Sequence, residues 1–192
     1  MLGHWPTSPF GPFADVMVER ADGHRLLLAP KADVAEFVSG TYHFDEVVEV
    51  PVDVRRDGPS WHVTAGPLRL AFVVGPRTAL GHLLRLVPAP LAVSLPWARV
   101  TGPVARALLP GVSTVGTAGA CRREWYGARD LHRVVAAHAH WEGADLGTLR
   151  PVHPPTRFGF SSTPAAPSLV TVVTTVEAES RAGGLPGDAP LP

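Results

Sequence analysis

The fold is organised around the stretch CRREWYGARDLHR, residues 121–133, which holds the only cysteine, two large aromatic residues, charges of both signs and a histidine. If it is a β-strand, Arg122, Glu124 and Tyr126 share one face, because side chains alternate along a strand. Arginine binds carboxylates, glutamate accepts protons and a tyrosine hydroxyl stabilises an oxyanion, so this face is a candidate site. The same spacing is also typical of a solvated ion pair worth less than about 1 kcal/mol.

Residues 131–142 fit either a strand or a helix. As a helix, they would begin at the good N-cap Asp130 and end at Gly143. As a strand, they place His132, His138 and His140 on one face, and His-x-His spacing can bind a metal. The opposite face is mostly apolar and should face the core, which leaves the histidines in solvent. We favour the strand, because neighbouring segments are strands, and we predict no metal; His138 and His140 are only weak candidates.

Most other segments also have strand patterns. Asp22-Gly23 separates two apolar runs and predicts a β-hairpin. Alternation and β-branched residues predict further strands, and helical spacing with Gly40 at its end predicts a short helix over 31–39. The predicted strands include 46–56, 61–63, 68–74, 112–118, and a closing pair formed by 158–160 and 169–176.

Residues 76–111 differ from the rest, because their leucines and valines recur at helical spacing between several prolines. This predicts a helical insertion. The uncharged part, residues 86–98, is far shorter than the ~20 residues that a membrane-spanning helix needs.

The sequence therefore predicts an α+β fold, mainly an antiparallel sheet of eight or nine strands curled into a barrel or sandwich, with the helical insertion at 76–111. We expect an irregular N-terminal arm over residues 1–12, one β-rich domain over 13–180 and a disordered tail over 181–192.

Composition bounds the function. The 16 arginines against the single lysine Lys31 indicate a GC-rich coding sequence, as in a GC-rich bacterium. A net charge of zero argues against nucleic-acid binding, and the start of the chain has no secretory pattern, so a cytoplasmic protein is expected. Charge is nevertheless uneven: residues 58–123 contain seven arginines and no acid. Either other segments neutralise this charge, or it forms a basic face for an anionic ligand or membrane.

No nucleophile elbow, P-loop or dinucleotide fingerprint is present. Schiff-base chemistry needs a lysine, and the presence of only one, Lys31, argues against it. Cys121 beside two arginines could be a reactive thiolate, but a lone cysteine is more often a small buried apolar residue.

Three hypotheses for function remain. The leading one is a non-enzymatic domain that binds a small, partly apolar anionic ligand and needs no cofactor, with Arg122, Glu124, Tyr126, Arg129 and His132 at the polar end of its cavity. The second is a hydrolase or lyase that uses His132 with Glu124 or Tyr126. The third is a peripheral membrane protein that docks through the helices of residues 76–111.

Overall fold

The computed structural model of the chain describes residues 1–109, 111–118 and 122–178. These residues form strands and helices in the order β1 (Leu2–Trp5), β2 (Phe13–Glu19), β3 (Arg25–Ala29), α1 (Ala32–Ser39), β4 (Glu46–Glu49), β5 (Val52–Asp57), β6 (Ser60–Ala65), β7 (Leu68–Arg77), α2 (Ala79–Leu86), α3 (Ala89–Ala92), α4 (Leu95–Leu108), β8 (Val115–Ala118), β9 (Arg122–Trp141), β10 (Ala144–Asp145) and β11 (Ser168–Ala178). Cys121 and the predicted tail at 181–192 lie outside the described residues.

The first sheet has the strand order β1-β2-β3-β4. The predicted hairpin around Asp22-Gly23 is confirmed, since Val18 of β2 lies opposite Leu26 of β3 in an antiparallel pair. β4 pairs with β3 in parallel, so α1 is the crossover between them.

The second sheet has the order β10-β9-β7-β6-β5, and β8 and β11 also pair with β9. β9 is the hub, because β11 and β8 pair with its first half and β7 and β10 with its second. The strand interpretation of residues 131–141 is confirmed. β9 has a β-bulge at Val135. The adjacent residues Val73 and Val74 of β7 lie opposite Ala136 and Val134, so Val135 has no partner in β7. Such a bulge changes which residues share a face, so His132 does not share one with His138 and His140.

Two apolar clusters flank the first sheet. Leu26 and Leu28 of β3 pack with Trp61 and Phe72 of the second sheet. Leu27, the intervening residue, packs on the opposite side against α1 and Phe158. β3 reads as a continuous apolar run because both of its faces are covered.

Three of the predicted segments are wrong in their detail. The arm at 1–12 contains strand β1, in which Leu2 lies opposite Val16 of β2. The single strand at 46–56 is two strands in different sheets, separated at Pro51, which lacks the N–H that a ladder needs. Residues 158–160 form no strand, and β11 pairs with β9 instead.

The broad class is as predicted: a mostly antiparallel, sheet-rich α+β chain with helices α2, α3 and α4 inside residues 76–111. Among the described strands, neither sheet closes on itself. No helix in the described part of the chain has the length and apolar character needed to cross a membrane.

Candidate functional site

A buried cluster of three side chains joins β9 to the loop after α1. The hydroxyl of Tyr42 donates to Oε1 of Glu124 at 2.5 Å and lies 3.3 Å from the hydroxyl of Tyr126. Glu124 has no exposed surface. Alternation along β9 places Glu124 and Tyr126 on the side of Tyr42, whereas Trp125 turns away and donates from its indole Nε1 to the Val93 carbonyl at 2.9 Å.

The end of α1 fixes the position of Tyr42. The backbone N–H of Tyr42 donates to the carbonyl of Val38 at 2.9 Å, and the hydroxyl of Thr41 donates to the carbonyl of Phe37 at 2.8 Å. These bonds satisfy carbonyls that the last helical turn would otherwise leave unpaired. The loop is therefore held by the helix, and the phenol ring is directed at β9.

Burial governs the protonation of this cluster. Loss of solvation raises the pKa of the Glu124 carboxyl, against the hydrogen bonds from Tyr42 and Tyr126, which lower it. Burial also raises the pKa of both tyrosine hydroxyls, and the neighbouring phenol and carboxylate raise that of Tyr42 further. Both phenols therefore stay neutral donors over the physiological range.

Two buried polar atoms beside this cluster have no hydrogen-bond partner among the described residues. They are Oε2 of Glu124 and Nη1 of Arg122, two residues apart on β9. The guanidinium carbon of Arg122 lies 5.7 Å from the ring centre of Phe37. Unpaired buried polar atoms are uncommon in folded proteins, and they are often found where a protein does chemistry or binds.

A cleft of about 330 Å³ opens over Tyr42. Its described lining combines basic, aromatic and hydroxyl-bearing side chains without a carboxylate, namely Arg25, Thr41, Tyr42, His43, Thr117, Arg157, Phe158, Gly159 and Phe160. The buried cluster lies behind this lining, because Tyr42 belongs to both. The cleft therefore offers positive charge and aromatic surface together.

Two glycines allow the aromatic rings of the cleft to approach the backbone. Phe160 stacks on Tyr126 with ring centres 5.0 Å apart, and a Cβ at Gly116 would lie 2.1 Å from the Phe160 ring. A Cβ at Gly159 would lie 2.7 Å from the ring of Tyr42. Any larger residue at either position would have to displace an aromatic ring.

Two of the predicted site residues, Arg129 and His132, lie apart from this cluster. Arg129 is exposed, and it is the bulge residue of β9 that has no partner in β11. Nδ1 of His132 lies 3.0 Å from the carbonyl oxygen of Gly75, and its Nε2 lies 3.6 Å from Asp130. Eight residues of one extended strand separate His132 from Glu124, a distance of about 26 Å. Among the described residues no hydrogen bond joins His132 to Glu124 or Tyr126, so the pairing that the enzyme hypothesis needs stays a prediction.

Asp130, two residues before His132 on β9, is the centre of a second polar cluster. Arg77 of β7 binds its carboxylate through Nε at 2.8 Å and Nη2 at 3.0 Å. The hydrogen bond from Arg77 lowers the pKa of the Asp130 carboxyl. This ion pair joins β7 to β9, and it neutralises one arginine of the acid-free segment 58–123.

The predicted metal-ligand candidates His138 and His140 are exposed. Within the described ranges, no group of three histidine, cysteine, aspartate or glutamate side chains is placed to hold a metal ion.

Sequence reasoning missed Tyr42 and the rest of the cleft. Tyr42 is 82 residues from Glu124 along the chain, and no spacing rule links a loop to a distant strand. The one available signal was the cluster of aromatic residues at 42–44, just after the glycine that ends α1.

The fold and site thus define a sheet-rich α+β protein with a cleft lined by arginine, histidine and aromatic side chains. Comparison of the chain with models of protein families, with curated proteins and with solved structures gives no match. Function must therefore be inferred from the chemistry of the site.

Proposed function

We propose that this chain binds a small, partly apolar anion, such as an aromatic carboxylate, in the cleft over Tyr42. The observation that carries the proposal is the cleft lining, in which Arg25, His43 and Arg157 surround aromatic surface and no described lining residue is acidic.

The size and walls of the cleft favour a small ligand with a flat apolar part. Its volume of about 330 Å³ is near the lower end of the range typical of small-molecule sites. Phe158 and Phe160 provide ring surface, and Gly159 between them leaves room for the Tyr42 ring. A ligand ring would gain both apolar burial and ring-to-ring contact.

The charge of the cleft favours an anionic head group. Nε of Arg25 is buried without a hydrogen-bond partner among the described residues, and its nearest acidic atom in an ion pair is Oε2 of Glu19 at 3.8 Å. Arg157 uses Nη2 to donate to the carbonyl of Phe160 at 3.2 Å, which keeps its guanidinium beside the cleft. Both arginines retain N–H groups for a carboxylate, which they bind by charge-assisted hydrogen bonds.

We also infer that the two sheets pack as a sandwich. Val16 and Leu28 of the first sheet share one apolar cluster with Val63 and Phe72 of the second, which supports face-to-face packing. In this arrangement the cleft lies where α1, β8 and the loop at 157–160 meet.

Isothermal titration with benzoate and with its uncharged analogue benzamide tests the proposed function. We expect saturable binding of benzoate, with at least ten-fold weaker binding of benzamide and of benzoate to Arg157→Gln, since each change removes a charge-assisted hydrogen bond. Exposed Arg150, outside the cleft lining, gives the matched control Arg150→Gln, which should bind benzoate like the wild type. Equal affinities for the acid and the amide, or equal losses in both arginine variants, would refute the proposal.

A further inference from the structure

Helix α4 is apolar on two opposite faces. Its inner face packs through Ala98 and Gly102, which are buried. Its outer face carries Val100, Val104 and Leu108 at intervals of four residues, with exposed fractions of 70%, 57% and 58%. Residues four apart lie on one side of a helix, so these side chains form a continuous stripe directed to solvent. We call them the α4 stripe.

The residues around the α4 stripe add apolar surface and positive charge. Pro96, Pro103 and Ala107 are exposed on the same side of the helix. Arg99 and Arg106 are also exposed, and their spacing of seven residues places both along one edge of the stripe. Helix α4 contains no acidic residue, and within the described ranges neither arginine forms an ion pair, so its outer side combines aliphatic groups with positive charge.

Helix α2 repeats this combination in shorter form. Leu83 and Leu86 are 62% and 78% exposed, and exposed Arg85 lies between them. Arg85 is 3.8 Å from Asp130, so its charge is partly compensated, unlike the arginines of α4. Six of the thirteen exposed large apolar residues in the described chain lie on helices α2, α3 and α4: Leu83, Leu86, Leu91, Val100, Val104 and Leu108.

From these features we infer that the α4 stripe docks on an anionic lipid surface, with its aliphatic side chains at the level of the acyl chains and Arg99 and Arg106 against the head groups. Helices that lie in a membrane interface have this composition, with one apolar face bordered by arginine or lysine. They do not cross the bilayer, so they need no minimum length to span it. Charge complementarity selects the anionic membrane as the occupant, since exposed Arg99 and Arg106 border the stripe and α4 has no acidic residue. This surface is separate from the cleft over Tyr42, whose lining contains no residue of α4.

Co-sedimentation of the full chain with vesicles tests this inference. The vesicles are made either of phosphatidylcholine alone or of phosphatidylcholine with 30% phosphatidylserine, on the order of cytoplasmic-leaflet charge. We expect binding to the anionic vesicles that weakens steeply with added salt, and little binding to the neutral ones. Arg99→Gln/Arg106→Gln should weaken binding by about 30-fold, since each arginine near a charged membrane contributes a factor of about five.

Val100→Ser/Val104→Ser/Leu108→Ser should weaken vesicle binding by at least ~10-fold, because the buried apolar area is lost. All three residues are exposed, so the variant should keep the circular dichroism spectrum and melting temperature of the wild type. The matched control is Val170→Ser/Val173→Ser, which removes exposed valines from β11 and should bind vesicles normally.

Three results would overturn the inference. They are no sedimentation with anionic vesicles, equal sedimentation with neutral and anionic vesicles, or equal losses in the α4 variant and the β11 control. Sedimentation velocity adds a fourth: a wild-type dimer that the α4 substitutions dissociate would show that a second copy of the chain covers the stripe.

Discussion

Tyr42 and Glu124 depend on each other energetically. The phenol supplies the hydrogen bond at Oε1 of a carboxyl that has no exposed surface, and Oε2 has no partner among the described residues. Removing the phenol hydroxyl would take away the donor that the structure gives to Oε1 of this buried carboxyl. Because burial raises the pKa of Glu124 in the folded state, the carboxyl stabilises the fold at low pH and loses this contribution as the pH rises through the folded pKa.

Tyr42→Phe should lower the free energy of unfolding by about 1–3 kcal/mol, because it removes the hydrogen-bond donor to a buried oxygen of Glu124. Glutamine at position 124 keeps an acceptor and has no charge to bury, so the cost of Tyr42→Phe should be smaller in the Glu124→Gln background. Urea unfolding of the two single variants and the double variant at pH 7 measures this coupling. Additive effects would show that the hydrogen bond does not link the two residues.

Asp15 is a second buried carboxyl, far along the chain from Glu124. Its Oδ1 accepts a hydrogen bond from the indole of Trp5 at 2.8 Å, and it has no exposed surface. Burial raises its pKa from 3.8 to about 6, against the Trp5 hydrogen bond, which lowers it. A Cβ at Gly3 would lie 2.3 Å from Oδ1, so β1 passes directly over this carboxyl.

Asp15→Asn should flatten the pH dependence of stability. In the wild type, the contribution of Asp15 is full below pH 3.8 and is lost as the pH rises to about 6, a change of about 3 kcal/mol. Asparagine keeps an acceptor for Trp5 but does not titrate. Urea unfolding between pH 4 and pH 7 should show the wild type losing stability relative to Asp15→Asn. Parallel curves would contradict this, and exposed Asp53→Asn is the control that should follow the wild type.

At the scale of residues, the sequence predicted positions correctly where side-chain alternation along a single strand was sufficient. Alternation alone was enough to place Glu124 and Tyr126 on one side of β9. It failed for His132, because the extra residues at Arg129 and Val135 change the register, and bulges have no reliable signature in a single sequence. Tyr42 was missed because its contact with Glu124 arises from tertiary folding.

The first turn of helix α2 packs against β9 at the backbone of Gly81. A Cβ at Gly81 would lie 2.4 Å from the carbonyl oxygen of Leu131 and 2.9 Å from its nitrogen. Thr78 caps the helix by accepting from the N–H of Gly81 at 2.9 Å, and its own N–H donates to the same Leu131 carbonyl at 2.9 Å. The first turn of α2 is thus held against the strand, and only glycine fits at position 81.

Gly81→Ala should therefore destabilise the protein by about 1–3 kcal/mol through overpacking against rigid backbone. Helix propensity alone predicts the opposite, a gain of roughly 1 kcal/mol. Thermal unfolding gives the sign of the change. Leu83→Ala, on the exposed side of the same helix, should leave stability within about 0.5 kcal/mol of the wild type. A more stable Gly81→Ala variant would mean that α2 does not pack this closely on β9.

At the scale of elements, local signals predicted well and long-range pairing did not. The β2–β3 hairpin, helix α1 and the helices of 76–111 follow from turn residues and periodicity. The change of sheet at Pro51 and the parallel pairing of β4 with β3 do not, because apolar alternation continues across both sheets. Proline inside an apparent strand was the one available warning.

At the scale of the whole molecule, the acid-free segment divides into parts with different surroundings. Arg77 is neutralised by Asp130, whereas Arg99 and Arg106 remain exposed on a helix without acids. Neutralisation by another segment therefore applies to Arg77, and the basic-face alternative stays a prediction for Arg99 and Arg106. The cleft draws its charge from Arg25 and Arg157, which lie outside this segment. The proposed ligand binding and the proposed membrane docking consequently rest on separate sets of arginines and can be tested independently.

The most direct test of the central proposal is a titration of the ¹⁵N-labelled chain with benzoate, followed through its backbone amide NMR signals. Binding in the cleft predicts saturable shifts centred on Thr41, Tyr42 and His43 and on Gly159 and Phe160, with the amides of Arg129 and His132 unaffected. Shifts confined to the region of Arg129 and His132, or no saturable shift at millimolar benzoate, would contradict a ligand site over Tyr42.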